Sequence, residues 1–177
     1  MRKTGIVAAV LFVGTVWFAN WLLARYGVVS IGFGLSAPAG VFAVGIAFTL
    51  RDIVHRTLGR TAVFVCILVG CILAYLIEAG GTIPGGLVPI AVASAAAFLF
   101  SETADLAVYT PIEERTFLGA VAASNVVGAL VDSALFLWLA FGSLAFMEGQ
   151  VVGKLEMTAL ALPVLYASRR VVRTSLA

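Results

Sequence analysis

The sequence predicts an all-α integral membrane protein, a six-transmembrane-helix bundle with both termini cytoplasmic, and three observations point to it. Of 177 residues, 62% are hydrophobic and 11% charged, with a mean hydropathy of +1.12. Soluble domains are roughly 45–50% apolar and about 25% charged, so this chain has too little polar surface to stay dissolved as a monomer. Apolar runs bounded by charged, Gly or Pro residues recur six times, and the basic residues sit at their ends.

The runs fall at about Thr4 to Leu23, Pro38 to Val54, Thr61 to Ile77, Leu87 to Val108, Thr116 to Phe141 and Val151 to Ala167. A helix crosses the hydrocarbon with about 20 residues. Six crossings with short connections nearly use up the length, which predicts a single transmembrane domain over residues 1–177. Met1-Arg2-Lys3 before an apolar run resembles a signal peptide. The run continues to Leu23 without a small-residue cleavage site and is kept as the first span. The second run stops at Arg51; it reaches spanning length if the helix continues through Asp52 or if the stretch before Pro38 contributes, and a partly broken helix is expected there. Ala79 to Gly86 is glycine and proline punctuation, a connection without a helix of its own. Gly32, Gly34 and Gly40 indicate a flexible outer loop.

Lys and Arg set orientation. With the amino terminus inside, Arg2, Lys3, Arg51, Arg56, Arg60, Arg115, Arg169, Arg170 and Arg173 are cytoplasmic, leaving Arg25 and Lys154 outside. The net charge of +2 and pI near 8.7 do not indicate a nucleic-acid partner, because the basic residues line no single polar face. Cys66 and Cys71, five apart in one run, do not share a helical face and are read as small hydrophobic residues, not a disulfide. Ala47-Phe48-Thr49-Leu50-Arg51-Asp52 and Ala97-Phe98-Leu99-Phe100-Ser101-Glu102 form a weak internal echo.

A carboxylate in mid-membrane costs about 2.5–3.5 kcal/mol on insertion scales, so each one needs a reason. In the fourth run Glu102, Asp105 and Tyr109 are spaced three and four, on one helical face. In the fifth, Asn125, Gly128 and Asp132 form a second stripe, with Ser124 and Ser133 beside it, and Gly128 allows close approach. At about 1.5 Å per residue, Glu102 lies roughly 9 Å from the helix end near Val108 and Asn125 roughly 12 Å from Phe117, so the two can share a layer. Asp132 lies nearer the outer end, at the level of Lys154, and an Asp132 to Lys154 ion pair is expected. Lys154 has a second reading, snorkelling to the outer surface. Asp52 with Arg56 is either a one-turn boundary pair or part of the site. Asn20 hydrogen-bonds a neighbouring helix or a ligand, and Glu78 is solvated beside the glycine connection.

These polar groups exclude several chemistries. His55 stands among arginines with no second ligand at metal spacing, which argues against a zinc-dependent intramembrane protease. The serines of the runs lack a base to activate them. No phosphate-binding loop is present, so the chain itself does not hydrolyse ATP.

Three stretches resemble the VUT (vitamin uptake transporter), or queuosine precursor transporter, family: Phe42 to Val54 running on to Gly59; Phe98 to Tyr109 with its Ser-Glu-Thr-Ala-Asp core; and Ala123 to Ser133. Lys154 ahead of a last apolar helix is similar too. The resemblance implies a six-helix importer of 7-deazaguanine bases such as 7-cyano-7-deazaguanine in a bacterial inner membrane. The chain departs from typical members in its short loops and in Arg51 before the aspartate of the second helix. The substrate-binding candidates are Glu102, Asp105, Asn125, Asp132, Asp52, Lys154 and Asn20, with Phe48, Phe98 or Tyr109 available to stack on a planar base. A carboxylate accepts the adjacent N–H and amine of a guanine-like edge, and an Asn can both donate and accept. Glu102 or Asp105 can also carry a proton for coupled transport. The only partners called for are the bilayer and the small-molecule substrate, with no cofactor; a homodimer is left open. Ala91, Ala93, Ala95, Ala96 and Ala97 keep a second reading, a substrate-binding subunit that docks an ATP-driven module as in energy-coupling-factor importers.

Overall fold

A computed structural model describes residues 2–78 and 88–174. Six helices occur in it, α1 (Arg2–Tyr26), α2 (Val41–Leu58), α3 (Arg60–Glu78), α4 (Ile90–Glu113), α5 (Phe117–Phe141) and α6 (Met147–Thr174), with strands β1 (Val28–Gly32) and β2 (Leu35–Pro38) between α1 and α2. The glycine and proline connection after α3 lies outside the described residues. Each expected apolar run is a helix. α1, α4 and α5 are long and apolar enough to cross a membrane, while the described apolar part of α3 is shorter. α2 and α6 are interrupted by charge, Arg51, Asp52 and Arg56 in one and Glu148, Lys154 and Glu156 in the other.

The second run gives one unbroken helix, correcting the expected partial break. α2 passes through Arg51 and Asp52 and stops at Gly59, whose φ of 88° suits a residue without a Cβ. The segment before Pro38 does not lengthen it, because that segment is β structure. The fold class therefore needs a small amendment: the helical bundle carries one two-stranded antiparallel sheet where a flexible loop was expected. Val28, Val29 and Ile31 favour extended backbone. Gly32, Phe33 and Gly34 turn the chain at φ of 98°, 53° and 74°, and Val29 pairs with Ala37, Ser30 with Ser36, and Gly32 with Leu35 across a bulge. The hairpin is anchored on α6, where Gly149 lies so close to the Ser36 carbonyl that a Cβ would overlap it.

α1 and α2 run antiparallel. Gly5 faces Thr57 and Leu58 at one end and Gly40 abuts the Ala19 carbonyl at the other. α4 packs most extensively on α5, and α6 packs on both α2 and α5. At the centre the Phe98 ring meets Phe12 edge-on at 6.1 Å and Phe48 at 5.9 Å. Cys66 and Cys71 are free and buried in the same core. The distribution of side chains is inverted relative to a soluble domain: Arg51, Glu102, Asp105, Asn125, Asp132 and Lys154 are buried, while Val10, Leu68, Leu76, Phe100 and Leu130 are exposed. Lipid as the surrounding solvent accounts for both halves of that pattern. Ala91, Ala93 and Ala97 are buried within the chain. Those three are therefore not part of an outer docking surface, whereas Ala95 and Ala96 are half-buried.

Candidate functional site

The buried polar residues form two groups, one above the other along α2 and α4. The first is centred on Arg51, 2% exposed. Its Nη1 donates to Glu102 Oε2 at 3.0 Å, and its Nη2 donates to Asp52 Oδ1 at 2.6 Å, Asp105 Oδ1 at 3.2 Å and Asn125 Oδ1 at 3.1 Å. Nε donates to the same Asp52 oxygen at 3.0 Å. The guanidinium lies over the Phe48 ring at 5.4 Å, an arrangement suited to a planar cation. Helical spacing explains the assembly: Glu102 and Asp105 are one turn apart on α4 and point the same way. Three carboxylates share one guanidinium, so with all ionised the four side chains carry two excess negative charges. Asp52 Oδ2 is buried without a hydrogen-bond partner.

Arg51 was not among the expected site residues, having been grouped with the topology-setting arginines at the membrane boundary. Charge balance carried the signal. Seven helical residues follow it before α2 ends at Leu58, roughly 10 Å of rise, so it lies inside the bundle with the carboxylates that need a cation.

The second group gathers at a narrow cleft at the hairpin end. Asn20, Ser94, Phe98, Asp132, Phe136 and Gln150 contribute from α1, α4, α5 and α6. Ser94 Oγ donates to Asn20 Oδ1 at 2.8 Å, which is the interhelical bond expected of Asn20, while Asn20 Nδ2 is buried without a partner. Lys154 Nζ donates to Asp132 Oδ2 at 2.6 Å and to Ser133 Oγ at 2.7 Å. At 1% exposure, Lys154 pairs and does not snorkel. Gln150, 3% exposed, was missed, although it lies four residues before Lys154 and so on the same helical face.

Thus Glu102, Asp105, Asn125 and Asp52 are held together by Arg51, and Asn20 and Asp132 line the cleft, with Lys154 bound to Asp132. Tyr109 is separated from Glu102 and lies beside His55, with ring centroids 6.1 Å apart. Those two residues, with Asp52, Arg56, Asp105 and Val121, line a second, smaller cleft at the opposite end of the Arg51 group. Gly128 faces Asp105, and a Cβ there would sit 3.6 Å from its Oδ1, an ordinary contact. Among the described residues no three His, Cys, Asp or Glu side chains are placed to hold a metal.

A helical bundle with apolar flanks, a polar centre and a cleft lined by uncommitted polar atoms has the make-up of a membrane transporter. The model of the family described as "Putative vitamin uptake transporter" matches residues 38–168, and the chain belongs to that family. Searches among curated proteins and among solved structures return no match.

Proposed function

We propose that the chain imports 7-deazaguanine bases, the queuosine precursors exemplified by 7-cyano-7-deazaguanine, across a bacterial inner membrane, as one domain of six spans with both termini cytoplasmic. The observation that carries the reading is the polar capacity left unused in the hairpin-end cleft of a family member. Asp132 accepts only Lys154 among the described residues, Asn20 Nδ2 has no partner, and Phe98 and Phe136 supply apolar walls. A guanine-like base offers what these groups lack. Its adjacent N–H and amine suit a carboxylate in a two-point contact, and its carbonyl suits an amide donor. Pockets that fix orientation with a few polar groups between aromatic walls are the common form of small-molecule site.

In this reading Asn20 and Asp132 form the first station, reached from outside, with Lys154 holding Asp132 in place. Asp52, Glu102, Asp105 and Asn125 form a deeper one, whose excess of carboxylates over cations supports proton coupling. The basic residues other than the buried Arg51 and Lys154 support six spans and internal termini: Arg2, Lys3, Arg56, Arg60, Arg115, Arg169, Arg170 and Arg173 fall on the inner side and Arg25 on the outer. Arg51 and Asp52 of α2 and Lys154 of α6 are compatible with spanning because they pair inside the bundle.

The test is uptake of labelled 7-cyano-7-deazaguanine by cells that neither make the base nor carry their own importer. The parent chain accumulates it, and Asn20→Ala and Asp132→Asn at equal membrane expression do not. Absence of uptake by a correctly inserted parent overturns the substrate assignment.

A further inference from the structure

We infer that Arg51 is the latch of a barrier dividing one permeation path into two clefts, and that its release opens the path at the end away from the hairpin. The inference rests on the transport reading above and deepens it.

The two clefts draw on the same helices at different levels. α2 contributes Ala47 to the hairpin-end cleft and Asp52 to the opposite one; α4 contributes Phe98 to the first and Asp105 to the second. At about 1.5 Å per residue these separations are roughly 7.5 Å and 10.5 Å, so the wall between the clefts is only a couple of side-chain layers thick. Its layers are visible: the Phe48 and Phe98 rings in edge contact, then the Arg51 guanidinium stacked on Phe48. All three residues are buried.

Backbone packing shows why Arg51 matters. α2 packs on α1, α3 and α6, and α4 packs on α5 and α3, but α2 is not among the close neighbours of α4 or α5. The long Arg51 side chain bridges that gap, reaching Glu102 and Asp105 on α4 and Asn125 on α5. Charge-assisted bonds of this kind are strong when made and exchangeable when a competitor arrives. A base that offers an N–H and amine edge presents the same donors as the guanidinium. When it reaches Glu102 or Asp105 it displaces Arg51, so arrival of substrate and loosening of the barrier are one event.

The experiment reads access without using substrate. Val44, which lines the hairpin-end cleft, is replaced in a V44C chain that also carries Cys66→Ala and Cys71→Ala, and a small membrane-impermeant thiosulfonate is applied from each face in oriented vesicles. With Arg51 present, labelling is fast from the hairpin face and slow from the other. Arg51→Gln raises the slow rate by at least about tenfold, the shift that about 1.4 kcal/mol produces. Glu102→Gln removes the charge from one acceptor, leaves Arg51 paired with Asp52, Asp105 and Asn125, and raises the slow rate by about threefold. Equal labelling from both faces of the Arg51 chain overturns the latch, as does a slow rate unmoved by Arg51→Gln. If Arg51→Gln does not insert, Glu102→Gln decides alone, and an unchanged rate overturns it. Failed base uptake with raised labelling counts against the substrate assignment and leaves the latch standing.

Discussion

Lys154 Nζ lies 2.6 Å from Asp132 Oδ2, joining α6 to α5 by a buried ion pair whose aspartate lines the hairpin-end cleft. Removing one partner of such a pair leaves the other charge uncompensated, at a cost of about 3–5 kcal/mol, whereas replacing both with neutral groups is far milder. Lys154→Met is therefore expected to lower the thermal midpoint in detergent sharply, and Lys154→Met with Asp132→Asn to recover most of the loss. Additive losses in the double variant would show that the two residues act independently.

Ser94 donates to Asn20 Oδ1 at 2.8 Å, fixing the Asn20 amide with Nδ2 unpaired. Interhelical bonds of this type contribute about 0.6 kcal/mol on average and up to about 1.7, so Ser94→Ala costs little stability. Its expected effect is on binding: with the amide free to rotate, KM for the base rises several-fold while the maximal rate holds. Uptake kinetics at matched expression check this, and a fall in maximal rate with unchanged KM contradicts it.

The sequence displays the helices because their signal is local: apolar runs of spanning length with charged or glycine ends. The Asp132 and Lys154 pair was legible from depth along two helices, and Glu102, Asp105 and Asn125 from their spacing. Arg51 was obscure for a reason that is not local. An arginine near the end of an apolar run looks like a membrane boundary until the helix is known to continue to Leu58, and its partners are 51, 54 and 74 residues away. The hairpin was hidden by its glycines, which signal loop freedom and tight β-turns equally well. The Gln150 side chain needed a cleft formed by five separate helices before it had any meaning.

Glycine positions separate steric demand from tolerance. A Cβ at Gly149 would strike the Ser36 backbone carbonyl and one at Gly40 the Ala19 carbonyl, whereas Gly14 has nothing within 4 Å and Gly128 only ordinary contacts. Overpacking against backbone costs about 1–3 kcal/mol, while replacing an unconstrained mid-helix glycine gains about 0.5–1 kcal/mol. Gly149→Ala and Gly40→Ala should lower the thermal midpoint, the former also exposing the hairpin to protease. Gly14→Ala should raise it and Gly128→Ala leave it nearly unchanged. A Gly149→Ala chain as stable and as protease-resistant as the parent would show that the hairpin is not seated on α6 as described.

Three carboxylates around one guanidinium have room for a proton, and coupling through them makes a prediction distinct from binding. In energised vesicles the parent chain accumulates the base above its external concentration, and a protonophore collapses the gradient of substrate. Glu102→Gln keeps a hydrogen-bonding side chain of the same shape and removes the ionisable group, so it should still exchange labelled for unlabelled base across the membrane while its accumulation ratio falls to about one, since a carrier with no differential proton binding cannot draw on the proton gradient. The ratio and the exchange rate are read in the same vesicles. Full accumulation by Glu102→Gln moves the coupling to Asp105 or Asp52, whose amide variants are then expected to show the loss, and full accumulation by all three leaves the proton no role in transport.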